Sequence, residues 1–221
     1  MKVLITGTSS GIGLGVAKKF LKEGHEVYGI DKKESVIVDD HFHPFKADIS
    51  VPSSLPDIDG IEILFNNAGV QEEDKAIDTN LKGTIAVTEK YAFQSHIRSV
   101  LFNASSSAHT GFEFANYCAS KAGVIGYMKN VAWRLAKHYK ATCNSLSFGG
   151  VITQLNDKVM DEENFAKIMK VTPLKKWLTT DEAAEWVYFL TVINKSCTGQ
   201  DILIDNGEKD LNCTFVWPEF D

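Results

Sequence analysis

A glycine-rich turn between a strand and a helix organises the amino end of the chain. Residues 2–6 read as a short apolar strand, residues 7–13 as a turn with three glycines, and residues 14–23 as an amphipathic helix; a second strand then ends on Asp31. Glycines let the backbone turn tightly beside a ligand, and the free N–H groups at a helix start favour a pyrophosphate. The pattern predicts a βαβ unit that binds a dinucleotide, with a turn that binds no ligand as the alternative.

The rest of the chain alternates between strand-like and helix-like segments. This alternation predicts an α/β fold, a Rossmann-type doubly wound sheet of about seven parallel strands with helices on both faces. The predicted strands are residues 2–6, 25–30, 43–47, 61–66, 98–104, 141–147 and 201–204. The predicted helices are residues 13–23, 74–95, 115–138, 161–169 and 181–192. No repeat or linker divides the sequence, so we expect residues 1–221 to form one domain, with a substrate lid around residues 151–172.

Charge and cysteine content narrow the classes of function. The net charge is −6 without a basic block, which argues against nucleic acid, and no apolar run is long enough to span a membrane. The four cysteines show no paired spacing, which predicts reduced thiols in the cytoplasm. His41 and His43 alternate on an extended stretch without a cluster of further ligands, so we predict no metal site.

A tyrosine and a lysine lie four residues apart in the longest predicted helix. Tyr117 and Lys121 therefore share one face, and a nearby ammonium is expected to lower the pKa of the phenol and suit it to proton transfer. The preceding strand ends in three serines, Ser105 to Ser107, at the edge where open α/β sheets bind ligands. One of these hydroxyls could donate to a substrate carbonyl. Taken alone, the Tyr/Lys pair is also compatible with a solvated helix face.

Together these motifs resemble the short-chain dehydrogenase/reductases. The family pattern TGxxxGxG corresponds to residues 6–13, NNAG to residues 66–69, the helix asparagine to Asn80, and YxxxK to residues 117–121. Residues 198–207 resemble the last strand of the family and its turn. The resemblance covers nearly the whole chain. It implies hydride transfer between a nicotinamide cofactor and a carbonyl or secondary alcohol.

The resemblance also implies a role for each catalytic residue. Tyr117 would be the general acid/base, Lys121 its activator and a ribose ligand, and Asn80 the holder of a water relay. Ser106 would polarise the carbonyl as the second serine of an NxSS pattern. Because the stretch from Ser106 to Tyr117 is about two residues shorter than is common in the family, either flanking serine is an alternative.

The cofactor implied by the resemblance is NAD. The carboxylate of Asp31 suits two ribose hydroxyls. Positions 9 and 10 are serines, so no basic residue there could hold the 2′-phosphate of NADP. Lys32 and Lys33 leave NADP as the second choice. The expected cofactor contacts are Gly7, Ser9, Ser10, Gly11, Ile12, Gly13, Asp31, Asp48, Ile49, Asn67, Ala68, Gly69, Tyr117, Lys121, Val151 and Thr153.

The sequence leaves the substrate open. A 3-oxoacyl-[acyl-carrier-protein] reductase is one specific alternative, and a noncatalytic protein that senses NAD is another. We expect a small-molecule carbonyl or alcohol as partner and a homodimer or homotetramer as the assembly. The apolar residues 211–221 are expected to dock on a neighbour or close a cleft, and His109 either lines the substrate pocket or is an ordinary loop residue.

Overall fold

The computed structural model describes residues 1–159 and 161–211 and contains one sheet of seven parallel strands. The order across the sheet is β3-β2-β1-β4-β5-β6-β7. The strands are β1 Lys2–Thr6, β2 Glu26–Asp31, β3 Phe42–Lys46, β4 Ile63–Asn66, β5 Ser99–Asn103, β6 Thr142–Phe148 and β7 Asp201–Ile204. The predicted fold class is confirmed, and every predicted strand is found within two residues of its expected bounds.

Helices occupy the connections between most of the strands. They are α1 Gly11–Lys22, α2 Thr84–Tyr91, α3 Ser107–Thr110, α4 Ala115–Tyr139, α5 Glu162–Val171 and α6 Thr180–Tyr188. A π-helical segment, Ile77–Gly83, precedes α2, and another, Phe189–Ile193, follows α6. Short 3-10 turns lie at Pro52–Ser54 and Gln154–Val159. The sequence predicted one continuous helix over residues 74–95 and did not predict α3.

The apolar side chains of the central strands alternate between the two faces of the sheet. Leu4 packs into a core with Met128 of α4, whereas the next residue, Ile5, packs with Phe20 of α1 on the opposite face. All four side chains are fully buried. Alternation along a strand places consecutive side chains on opposite faces, so each face needs its own helix layer. The fold therefore has three layers, the sheet in the middle and one layer of helices on each of its faces.

The order of the strands reverses next to β1. The chain runs outward from β1 to β2 and β3, and then returns to place β4 on the other side of β1. In parallel sheets this reversal opens a crevice at the carboxyl ends of the strands. Gly7 follows β1 and Asn67 follows β4, so both border that crevice.

Several sequence expectations concern other parts of the molecule. In the described ranges 1–159 and 161–211, no helix is long and apolar enough to cross a bilayer, and no group of three His, Cys, Asp or Glu side chains is arranged to hold a metal ion. His41 and His43 instead each contact a different carboxylate oxygen of Glu26, at 2.7 Å. The expectation for residues 211–221 concerns residues that, apart from Leu211, lie outside the described ranges.

Candidate active site

The glycine turn is shaped by close backbone contacts. Gly7 and Gly11 have positive φ angles of 79° and 54°, which side chains rarely tolerate. A Cβ on Gly13 would lie 2.0 Å from the carbonyl oxygen of Gly7. Ser10 precedes α1 but makes no capping hydrogen bond, so its side chain leaves the N–H groups of the first helical turn available to an anion. This cradle fits the pyrophosphate of a dinucleotide.

Hydrogen bonds join the ends of β1, β4 and β5 at the crevice. The hydroxyl oxygen of Thr6 accepts the N–H groups of Asn67 and Ala68, both at 3.0 Å. The side-chain amide of Asn67 donates to the carbonyl of Thr6 at 2.9 Å and accepts from the amide of Asn103 at 2.9 Å. The predicted residues Asn67 and Ala68 therefore lie beside the glycine turn, on a rigid edge of the sheet.

Asp31 is oriented by the backbone at the carboxyl end of β2. One carboxylate oxygen accepts the N–H of Ser9 at 2.9 Å, and the other accepts the N–H of Lys33 at 2.8 Å. The residue lines a cavity of about 140 Å³ together with Thr8 and Ser35. The carboxylate keeps further lone pairs that suit ribose hydroxyls.

Asp48 and Ile49 follow β3 on the same side of the sheet. A carboxylate oxygen of Asp48 accepts the hydroxyl of Ser50 at 2.7 Å and its N–H at 2.9 Å, and these hydrogen bonds lower the pKa of Asp48. Ile49 is buried, and a Cβ on Gly83 would lie 2.9 Å from its carbonyl oxygen. In this structure the side chain of Asp48 thus stabilises the turn from Asp48 to Ser50.

Tyr117 lies near the start of α4 with its side chain buried. Burial raises the pKa of Tyr117 to about 12 because it disfavours the phenolate, and a hydrogen bond with Ser105 opposes this rise. The hydroxyl of Ser105 also donates to the hydroxyl of Ser107 at 3.0 Å. Ser106, which the NxSS pattern favours, is the residue before α3; its side chain makes no capping hydrogen bond, and its N–H donates to the carbonyl of Phe148 at 2.9 Å. Ser105, one of the two alternatives to Ser106, is thus the serine that interacts with the phenol in this structure.

Lys121 lies one turn further along the same face of α4. Its ammonium donates to the carbonyl of Asn103 at 2.8 Å and lies 5.8 Å from the centre of the Tyr117 ring. Burial lowers the pKa of Lys121 to about 8. We expected this ammonium to lower the pKa of Tyr117, whereas in this structure burial raises that pKa.

Asn80 occupies the middle of the first π-helical segment. Its side-chain oxygen accepts the N–H of Val70 at 2.8 Å, and its amide donates to the carbonyl of Val70 at 2.9 Å and to the hydroxyl of Ser120 at 3.1 Å. A Cβ on Gly69 would lie 3.1 Å from that oxygen and 3.6 Å from the Lys121 ammonium. Asn80, Gly69 and Lys121 are therefore neighbours, and π-helical segments of this kind are frequent at functional sites.

Comparison with known proteins settles the family. The family model for short chain dehydrogenases matches residues 1–164. The chain belongs to the short-chain dehydrogenase/reductase family. Nodulation protein G of Rhizobium sp. (strain N33) is 28% identical over 93% of this chain and 96% of its own. The 3-oxoacyl-[acyl-carrier-protein] reductase FabG of Staphylococcus aureus (strain Mu50) is 29% identical, with 92% and 96% coverage.

Solved structures show the same fold. The aldohexose dehydrogenase of Thermoplasma acidophilum has a TM-score of 0.86 at 21% identity and covers 98% of this chain and 96% of its own. A 4-hydroxyisoleucine dehydrogenase complexed with NADH has a TM-score of 0.85 at 23% identity, with 94% and 98% coverage. The protein is an NAD(P)-dependent oxidoreductase that transfers hydride between a nicotinamide cofactor and a carbonyl or secondary alcohol. The predicted family and activity are confirmed.

The loop after β6 brings the last predicted residues of this short-chain dehydrogenase/reductase to the crevice. A Cβ on Gly11 would lie 3.5 Å from the methyl group of Thr153, so this side chain adjoins the glycine turn. Val151 is buried and forms a bridge with Leu178. The Thr153 contact places this part of the loop against the start of α1, and the Val151 bridge joins the loop to Leu178.

Sequence reasoning missed one contact of this loop. A Cβ on Gly150 would lie 2.1 Å from the Trp177 ring, so the indole packs directly on the backbone of the loop. Phe165 of α5 meets the Trp177 ring edge to face, with 5.6 Å between ring centres. One sequence alone does not reveal that Gly150 must be small because the ring of Trp177, 27 positions later, packs on it.

Proposed function

We propose that this enzyme uses NADH to reduce a small carbonyl compound, and NAD for the reverse oxidation, with Tyr117 as the proton donor. The observation that carries the proposal is the geometry at the start of α4, where the Tyr117 phenol is buried and the Lys121 ammonium, one helical turn further on, lies 5.8 Å from the centre of its ring. Burial raises the pKa of this phenol to about 12, so it is protonated at neutral pH, and it can give its proton to the carbonyl oxygen because the alkoxide that forms there is a stronger base. The cofactor supplies the hydride when it is bound.

Each side chain then has a definite task. Tyr117 donates its proton to the carbonyl oxygen as negative charge develops there, and the hydroxyl of Ser105 turns from Ser107 to donate a hydrogen bond to the same oxygen. Lys121 holds a ribose hydroxyl and contributes positive charge, while Asn80 fixes the backbone at Val70 and keeps the water relay to Lys121 in place. Orientation by fixed donors in a water-poor site is the main catalytic contribution.

Ser105 and Ser106 offer a direct test of this arrangement. Ser105→Ala should lower kcat by about 100-fold, as the loss of one oxyanion donor does elsewhere, whereas Ser106→Ala should leave most of the activity. Both variants are followed by the absorbance of reduced nicotinamide with a substrate that the wild type turns over. A large loss confined to Ser106→Ala would return the role to the serine that the NxSS pattern favours.

The preference for NAD rests on Asp31. Its carboxylate is fixed by the N–H groups of Ser9 and Lys33, and a 2′-phosphate at the ribose would meet this negative charge. Titration with NADH and NADPH, followed by the quenching of tryptophan fluorescence, measures both dissociation constants. Tighter binding of NADPH would refute the preference.

Two substrate classes are to be compared. One relative is named a 3-oxoacyl-[acyl-carrier-protein] reductase, and a structural neighbour is named an aldohexose dehydrogenase. Turnover of a short 3-oxoacyl thioester against a panel of sugars and polyols separates the two. Tight NADH binding without turnover across both sets would favour a protein that senses NAD.

We also propose that the enzyme is a homodimer or homotetramer that associates through the outer edge of the sheet. An apolar groove of about 790 Å³ runs between α6 and β7, one of the two edge strands of the sheet, and Trp186, Phe189 and Ile193 are exposed along it. Light scattering should find an oligomer for the wild type and a smaller species for Trp186→Glu. A monomeric wild type would refute this assembly.

Residues 1–221 are proposed to form a single domain with a lid around residues 151–172. Within this stretch, α5 has no fully buried residue, and its Phe165 reaches the body of the protein through Trp177. We place the enzyme in the cytoplasm, because Cys118, Cys143 and Cys197 are free thiols, which a reducing compartment preserves.

A further inference from the structure

His109, which the sequence left without a role, lies on α3 directly after the serines. Its Nε2 atom is 2.7 Å from a carboxylate oxygen of Asp201 and 3.2 Å from the hydroxyl oxygen of Ser147. Asp201 begins β7 and Ser147 belongs to β6, so this side chain extends from α3 to the face of the sheet. The contact joins residues that are 92 positions apart in the chain.

The carboxylate that receives His109 is almost completely buried. The side chain of Asp201 is 8% exposed and accepts the hydroxyls of Ser145 at 2.5 Å and Ser147 at 2.8 Å. Among the side chains that the structure describes, His109 is the one basic group within ion-pair distance of it. A buried carboxylate is costly unless donors surround it, so Asp201 is a fixed acceptor that strongly favours the N–H of His109.

Helix α3, which follows Ser105, depends on contacts with the neighbouring strands. Helix α3 has four residues, which is too short to be stable by its own hydrogen bonds. At its start, the N–H of Ser106 donates to the carbonyl of Phe148 on β6, at 2.9 Å. At its end, His109 binds Asp201 on β7. The two ends of α3 are therefore fixed to two adjacent strands.

We propose that His109, held by Asp201, is a positioning residue that keeps the hydroxyl of Ser105 against the Tyr117 phenol. The Ser105 oxygen accepts the N–H of Ser107 at 3.2 Å, so a movement of α3 moves this hydroxyl as well. The inference rests on the proposed function, in which Ser105 polarises the carbonyl. It adds a polar link from β7 to the reacting atoms, through residues that need not touch the substrate.

The first test needs neither substrate nor cofactor. Hydrogen exchange followed by mass spectrometry on His109→Ala should show faster exchange in peptides covering residues 104–112, because α3 loses its anchor at one end. His109→Gln keeps an N–H donor toward Asp201 and should restore the protection. His96→Ala changes an exposed histidine just before β5 and serves as the control. Unchanged exchange at residues 104–112 in His109→Ala would overturn the proposal.

The second test links the anchor to Ser105. His109→Ala should lower kcat about 10-fold to 100-fold, with a smaller effect on KM, because a small displacement of a catalytic group is costly in the reaction step. Added to Ser105→Ala, the same change should have no further effect on kcat, and His109→Gln should regain most of the activity. An equal loss with and without Ser105 would overturn the role of His109.

The two proposals can fail separately. If Ser105→Ala retains full turnover while His109→Ala loosens residues 104–112, the anchor exists and the function proposed for Ser105 is wrong. If Ser105→Ala is impaired but His109→Ala is unchanged in both measurements, the proposed function holds and the inference about His109 is wrong.

Discussion

Replacing Gly13 by alanine should damage both the fold and the cofactor site. The new Cβ would lie 2.0 Å from the carbonyl oxygen of Gly7 and 2.5 Å from the side-chain nitrogen of Asn67. The first of these is a backbone atom of a turn with positive φ, and the second donates to the carbonyl of Thr6, so neither can move freely. The turn itself must shift.

The size of the effect follows from two opposing contributions. Overpacking costs about 3 kcal/mol when the neighbour is rigid, and alanine returns about 1 kcal/mol through its higher helix propensity. We therefore expect a net loss of about 2 kcal/mol, which corresponds to a decrease of about 4–8 °C in Tm for a chain of this size. The dissociation constant for NADH should rise by more than about tenfold, because the N–H groups that face the pyrophosphate are displaced.

Gly126→Ala is the matched control. Gly126 lies inside α4, and a Cβ there would meet nothing within 4 Å. This variant should gain about 1 kcal/mol and bind NADH like the wild type. Circular dichroism gives the two melting temperatures, and fluorescence titration gives the two dissociation constants. A Gly13→Ala protein that melts at the wild-type temperature and binds NADH normally would refute the reasoning about the turn.

Two further predictions follow from the charges of the site. Asp31→Ala should raise the ratio of kcat/KM for NADPH over NADH by about tenfold or more, since a repulsion worth at least about 1.4 kcal/mol is removed, whereas Asp40→Ala, an exposed neighbour, should not change it. An unchanged ratio in Asp31→Ala would exclude Asp31 as the discriminating residue. Burial lowers the pKa of Lys121 from 10.5 to about 8, so between these pH values the unfolded chain binds a proton that the folded chain lacks. The contribution of Lys121 to the free energy of unfolding should therefore rise with pH across this window by up to about 3 kcal/mol, and the difference between the wild type and Lys121→Met in urea titrations should change by this amount.

The strands and their connections could be predicted because their signals are local. Apolar runs such as that of β4 are bounded by polar or glycine residues, and Gly7 must follow a strand and precede a helix for its turn to form. The crevice then follows from the strand order, because parallel strands bring their carboxyl ends to one edge. Tyr117 and Lys121 share a helix face by spacing alone.

The details that the sequence did not predict depend on contacts between residues that are far apart in the chain. The bonds of Asn80 to Val70 and Ser120 accompany a π-helical segment where a regular helix was expected, and nothing local marks the extra residue per turn. Our proposal of Ser105 in place of the predicted Ser106 depends on how α3 is held by β6 and β7. The pKa of Tyr117 depends on burial, which the spacing to Lys121 does not reveal.

The transfer of deuterium from a reduced cofactor that carries deuterium at both C4 positions of the dihydronicotinamide tests the central claim most directly. With a carbonyl substrate that the enzyme turns over, mass spectrometry should find one deuterium on the carbinol carbon of the product. Tyr117→Phe should bind NADH as tightly as the wild type but form this product at least about 100-fold more slowly. A product without deuterium, or wild-type turnover by Tyr117→Phe, would contradict hydride transfer assisted by this phenol.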